Sequence, residues 1–310
     1  MNYLNCVDIT RELSGDYNFK LDKDVLKGMV SFFAGNCGDE DINEEAIAVA
    51  EYEQVVIKMG CDSRRRYFLL VPERGPKIIV GERSVPFQGS VNFRDLGGYY
   101  NVEGDQVRWG KIYRSGHLSN LTQKDKELFS NLTIAVICDF RTKTEYEGEV
   151  TSVPGNLIAY SSPIVPGIED ERYFHRLFQS VNDPEEVVEA MHAVIANLVT
   201  NARSNYGVFF EALLESGGKT FLMNCSAGKE RTGVGAALLL SLLGVSKEVV
   251  FEDFMLSKKF FPYESELERV YQKYELDPEN PLSRVLIAPL LETRPSYLEA
   301  GFDYIEKNFE

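Results

Sequence analysis

Cys225 and Arg231 stand five residues apart in the run Asn224-Cys225-Ser226-Ala227-Gly228-Lys229-Glu230-Arg231-Thr232-Gly233, and this run constrains the fold more than any other stretch. Lys219-Thr220-Phe221-Leu222-Met223 leads in, and Val234-Gly235-Ala236-Ala237-Leu238-Leu239-Leu240 leads out. The pattern predicts strand, tight loop and helix, with a thiol at the strand end and a guanidinium in the first helical turn. Amides at a helix N-terminus lack intrahelical partners and carry partial positive charge. Small residues such as Ala227 and Gly228 let several of them face one anion. Arg231 adds a planar, permanently charged fork for two oxygens. The same field favours the thiolate of Cys225, which is the nucleophilic form. The residue pattern therefore suits an oxyanion held over a sulfur by Arg231 and the loop amides from Ser226 to Glu230. The competing reading is a buried cysteine before a core helix, with Lys229, Glu230 and Arg231 on a solvated turn; the flanking strand, Gly228 and Gly233 favour the cradle.

The run resembles the signature loop of the cysteine-dependent protein tyrosine phosphatases, HCxxGxxRTG, and most closely the HCxAGKDRTG form of the bacterial tyrosine and lipid phosphatases. Two further segments are similar to that bacterial family: Asn92-Phe93-Arg94-Asp95-Leu96-Gly97-Gly98-Tyr99, and Tyr113-Arg114-Ser115-Gly116-His117-Leu118-Ser119-Asn120-Leu121-Thr122. The resemblance spans about 85–310. It implies hydrolysis of phosphate monoesters through a phosphocysteine, with Cys225 as nucleophile and no cofactor or metal. The implied substrates are phosphorylated protein, at tyrosine or also serine and threonine, or phosphoinositide. The histidines His117, His175 and His192 are dispersed, without metal-ligand spacing.

A phosphocysteine route needs a proton donor for the leaving oxygen. Asp139, in Cys138-Asp139-Phe140-Arg141, ends a predicted central strand, where open α/β sheets place their sites. The resemblance gives the matching aspartate the general-acid role. Its structural alternative is a local pair with Arg141. Glu230, where the family usually has Asp, is the competing carboxylate, in a role left open between proton transfer and partnering Lys229 or Arg231. The family's lysine matching Lys229 is linked to extra phosphate on phosphoinositides; a solvated lysine is the other reading. Thr232 matches the hydroxyl beside the cysteine. Arg94 and Arg114 either reach the phosphate or, with Asp95, brace the loop. Asn224 replaces the usual histidine and can still donate and accept. Asn224 and Glu230 keep open a second class, a pseudophosphatase that binds a phosphorylated protein or lipid without turnover. An arsenate reductase also uses C-x5-R, but in short chains with an early loop. Cys138 is read as a buried structural cysteine rather than a disulfide partner of Cys225.

Net charge is −15, which disfavours nucleic acid and anionic membranes away from a local basic patch. No apolar run approaches the ~20 residues of a membrane-spanning helix. Five scattered cysteines and the absence of a leader-like N-terminus fit a cytoplasmic protein with reduced thiols. Oligomeric state is not legible.

Residues 1–86 carry β-rich runs at 17–21, 29–33, 54–58, 67–71 and 77–80, separated by turn residues, and read as a small β-sandwich-like accessory domain. From 87 to 310, helical and strand patterns alternate, as in an α/β catalytic domain whose central sheet is flanked by helices. Thr122 reads as a capping box, Leu132–Cys138 as a buried strand, Asp183-Pro184 as the start of a long helix, 208–214 as a second helix, and Ser246 as another cap. The segment 161–181, with Pro163, Pro166 and Gly167, reads as a lid over the pocket.

Overall fold

A computed structural model describes residues 6–12, 14–36, 41–60 and 64–309. Cys37, Cys61 and residues 1–5 lie outside the described residues. The β-rich runs of the N-terminal part become strands: β1 (Val7–Arg11), β2 (Tyr17–Leu21), β3 (Lys27–Gly35), β4 (Ala48–Ala50), β5 (Gln54–Ile57), β6 (Tyr67–Arg74) and β7 (Ile78–Gly81). They form two antiparallel sheets, β1-β2-β5 and β4-β3-β6-β7. Phe19 packs edge-on against Phe32 and Phe68, with ring centroids 5.1 and 4.9 Å apart, joining the two sheets in one core. Each such ring, lost to alanine, would cost about 3–5 kcal/mol. β1 and β4 were not among the runs read as strands: β1 shows the apolar-polar alternation of a half-buried strand over only Val7 and Ile9, and β4 is three residues long.

The remaining elements run β8 (Arg94–Asp95), β9 (Ile112–Ser115), α1 (Gln123–Asn131), β10 (Val136–Asp139), α2 (Lys143–Gly148), β11 (Ile158–Ser161), α3 (Tyr173–Ser180), α4 (Pro184–Asn201), α5 (Arg203–Glu215), β12 (Phe221–Asn224), α6 (Glu230–Leu242), α7 (Lys247–Met255), α8 (Ser257–Phe260), α9 (Tyr263–Tyr274), α10 (Pro281–Leu291) and α11 (Pro295–Phe309). The sheet order is β11-β10-β12-β9-β8. The first four are parallel, and β8 is an antiparallel edge. The fold is thus α/β, a helix-flanked central sheet preceded by antiparallel sheets. Thr122 forms the capping box read from the sequence, and Asp183 caps α4 with Pro184 at its first position, adding a capping box with Glu186 that was not read there. Ser246 precedes α7 in extended backbone but its hydroxyl makes no capping bond.

β12 is the middle strand, its four residues fully buried. In register, Asn224 faces Ser115 on one side and Asp139 on the other, so the parallel strands end together and the 225–229 loop leaves from their carboxyl ends. α6 then dives into the core, which its small residues permit: a Cβ on Gly233 would lie 2.9 Å from Phe254.

A buried polar seam ties the N-terminal sheets to β8. Tyr67 of β6 donates to Asp95 Oδ2 at 3.1 Å and meets the Tyr113 hydroxyl at 3.0 Å. Arg65 lies 3.3 Å from the same carboxylate, whose oxygens also accept from the Gly97 and Gly110 amides. Trp109 Nε1 donates to Ile79 O of β7 at 2.9 Å. Asp95 is therefore a structural anchor that fixes β8, and with it Arg94.

Candidate active site

Cys225 is 1% exposed, and its Sγ accepts a hydrogen bond from the Gly228 amide at 3.2 Å. An amide aimed at the sulfur from three residues on requires the loop to curl with its N–H groups inward. The carbonyls show why it does so. Ser226 O accepts from His117 N at 3.0 Å, and Gly228 O accepts from Asn92 Nδ2 at 2.8 Å and Arg114 Nη2 at 2.9 Å. These carbonyls are held on the outside, while the Gly228 amide turns in toward the sulfur. Gly228 has φ +67°, and a Cβ there would lie 2.6 Å from the Ser115 carbonyl carbon, so the loop can press onto the end of β9 only with glycine. The amides of Glu230, Arg231 and Thr232 open α6 and have no intrahelical acceptors.

Arg231 is aimed by Glu145 of α2. Nη1 donates to Oε2 at 2.6 Å and Nη2 to Oε1 at 2.9 Å, while Nη1 also bonds Ile164 O at 3.0 Å. Ser226 Oγ donates to the same Glu145 at 2.8 Å. Burial works against the guanidinium charge, but Glu145 and the Cys225 sulfur outweigh it and hold Arg231 protonated. Burial likewise raises Glu145, but Arg231, Lys273 and Ser226 hold its carboxyl well below the usual carboxylate range.

The other expected residues divide between the cavity and its supports. Ala227, Lys229 and Glu230 line a narrow cavity of about 80 Å³ above Cys225, together with Ser226 and Arg231. Lys229 is buried rather than solvated. Its Nζ donates to Leu290 O at 2.9 Å and Leu291 O at 2.6 Å at the end of α10, and lies over the Phe261 ring. Burial lowers its proton affinity. Glu230 pairs with Lys229 at 3.4 Å and keeps some solvent exposure. Asp139 lies elsewhere: both its oxygens accept from Arg141, at 2.6 and 3.0 Å, and it does not line this cavity. Arg141 in turn bonds Glu149 O and Thr151 Oγ1, so the pair pins the segment that follows α2. Arg94 and Arg114 lie behind the loop, completely buried. Asn224 is also completely buried, and neither its Nδ2 nor its Oδ1 finds a partner among the described residues; the same holds for Thr232 Oγ1. Of the expected lid, Pro166 and Phe174 reach the cavity wall. α9 adds Glu266, Arg269, Lys273 and Tyr274 to the same wall.

The profile of the tyrosine phosphatase family matches residues 85–310. The chain belongs to the tyrosine phosphatase family. As a member it is a phosphatase, a hydrolase of phosphate monoesters. It is 28% identical over 237 residues to the Cupriavidus necator protein named "Putative tyrosine-protein phosphatase H16_A0669", covering 74% of this chain and 81% of that one. It is 25% identical over 196 residues to the triple specificity protein phosphatase PtpB of Mycobacterium tuberculosis, covering 56% and 69%. The crystal structure of P. aeruginosa TpbA is 15% identical, with a TM-score of 0.27, covering 58% of this chain and 87% of that one. No helix among the described residues is long and apolar enough to cross a membrane.

Two carboxylates that pair with arginines around the loop escaped the sequence reading. Glu145 had a visible signal: Thr142-Lys143-Thr144-Glu145 is a capping box, with Thr142 N donating to Glu145 Oε2 at 3.1 Å. The box announces α2 but says nothing of Arg231. Asp253 of α7 had none. It accepts from Arg114 Nη1 at 2.7 Å and from the Tyr99 hydroxyl at 2.7 Å, far from the loop in sequence.

Proposed function

We propose that the phosphatase acts on phosphotyrosine-like monoesters through a phosphocysteine at Cys225. The Cys225 thiolate attacks phosphorus, an S–P bond forms, and the bond to the leaving oxygen breaks. The loop amides and Arg231 hold the phosphoryl oxygens and take up the charge that develops on them. Glu230 gives the leaving oxygen its proton. Water then attacks phosphorus with Glu230 taking its proton, which frees inorganic phosphate and restores the thiolate. Glu230 is preferred to Asp139 because it lines the cavity, whereas the Asp139 oxygens are occupied by Arg141. The observation that carries the reading is the Gly228 amide 3.2 Å from the Cys225 sulfur, in a loop whose Ser226 and Gly228 carbonyls are held outside.

The rings of Phe174, Phe261 and Tyr274 in the cavity wall suit an aryl group. Lys229 is committed to α10, which leaves it unsuited to a second phosphate and favours phosphotyrosine over phosphoinositide. Residues 1–86 serve in this reading as a brace for β8 rather than as a second active site, and the buried, unbridged Cys6, Cys138 and Cys225 fit a cytoplasmic setting. The test is turnover of p-nitrophenyl phosphate, a phosphotyrosine peptide and a phosphoinositide by wild type and Cys225→Ser. The peptide should exceed the phosphoinositide in kcat/KM, and the variant should lose roughly 10⁴-fold or more. Activity that survives in Cys225→Ser would reject the nucleophile.

A further inference from the structure

We propose that Arg114 and Asp253 are positioning residues that hold the catalytic loop in its anion-binding conformation from behind. The inference rests on the phosphate-cradle reading above. Arg114 Nη2 donates to Gly228 O at 2.9 Å and lies 3.4 Å from Lys229 O, so one guanidinium turns back two successive loop carbonyls. Its Nη1 is fixed on Asp253 Oδ2 at 2.7 Å. Asp253 Oδ1 is fixed in turn by the Tyr99 hydroxyl at 2.7 Å. Arg94 Nη2 donates to Asp253 O at 3.2 Å and lies 3.8 Å from the carboxylate. Arg94 also orients Asn92, the second donor to Gly228 O.

All of these side chains are almost fully buried, Arg94 and Arg114 completely so. Two guanidiniums therefore share one carboxylate beneath the loop. Burial and the nearby Arg114 lower Arg94 only to about 9, so Arg94 keeps its charge at neutral pH. Burial raises Asp253, but Arg114 and Arg94 outweigh it and keep it ionised. The cluster carries one excess positive charge in a site without solvent, on the far side of the loop from the incoming anion. It thus supplies two things to phosphate binding, the orientation of the amides and a fixed field of the right sign. A buried ion pair that served only stability would leave the loop carbonyls alone; here the fork spends one arm on the carboxylate and the other on the carbonyls.

The test is equilibrium binding of inorganic phosphate to wild type, Arg114→Met and Arg114→Lys, with kcat and KM for p-nitrophenyl phosphate, at a temperature where melting curves show each protein folded. Arg114→Met should weaken phosphate roughly 10- to 100-fold and lower kcat with it, and Arg114→Lys should recover part of both. Phosphate affinity within twofold of wild type in a folded variant, with only the melting temperature lowered, overturns the proposal. Should Arg114→Met fail to fold, Arg114→Lys decides alone, because lysine keeps the charge but cannot span carbonyl and carboxylate: a several-fold loss is expected, and wild-type affinity rejects it. Phosphate binding is read without turnover, so failure of the enzymatic reading is seen separately, as an inactive wild type that still binds phosphate.

Discussion

The cavity side of the catalytic loop and its rear are built from the same chemistry, arginine on carboxylate, with different stoichiometry and purpose. In front, Arg231 and Glu145 form a bidentate pair, 2.6 and 2.9 Å, that fixes the plane of a guanidinium in the cavity wall. Behind, Arg114 and Arg94 share Asp253, and Arg114 reaches past it to the loop carbonyls. The front pair aims a charge, and the rear cluster shapes a backbone. A third pair, Asp139 with Arg141, lies outside the cavity and pins a neighbouring segment. Position relative to the loop, not the identity of the pair, decides what each does.

The largest expected effect separates the cavity side from that third pair. Glu230→Gln should slow hydrolysis of a phosphotyrosine peptide by roughly 10²-fold or more, and less for p-nitrophenyl phosphate, whose leaving group needs little protonation. Asp139→Asn should leave kcat within a few-fold and act mainly on the melting temperature. The reverse pattern in steady-state kinetics would return the acid role to Asp139. A smaller effect sharpens the front pair. Glu145→Gln leaves Arg231 buried without its counter-charge, a loss of about 3–5 kcal/mol in urea unfolding at neutral pH. Because Glu145 is held below its unfolded value, its stabilisation is present above about pH 4 and is lost as pH falls further. The variant should therefore show a flatter decline of stability below that pH than wild type; parallel acid limbs would contradict the pairing.

The front of the loop was legible because its residues are consecutive, and chemistry that depends on local spacing is written in local sequence. The alternation of strand and helix, the caps at Thr122 and Asp183, and the central β12 followed for the same reason. The rear was only half legible. Arg94 and Arg114 stood out within recognisable motifs, with bracing left open as one of two roles. Asp253, which binds both, sits in a plain amphipathic helix and is brought there by tertiary packing alone. Glu145 announced a helix start but not its second duty. The partners of Lys229 were not legible for a related reason: its acceptors are helix-terminal carbonyls of α10, which no side-chain pattern marks. Asp139 was read at its strand end, and its pair with Arg141, two residues on, was the structural alternative read beside the acid role.

The account turns on a covalent bond between Cys225 and phosphorus. Rapid acid quench of wild type during turnover of a phosphotyrosine peptide, followed by proteolysis and mass spectrometry, tests it directly. The account predicts one phosphoryl group on the peptide containing Cys225, absent in Cys225→Ser. Sustained turnover with that peptide unmodified, or with the phosphoryl group on another residue, would contradict it.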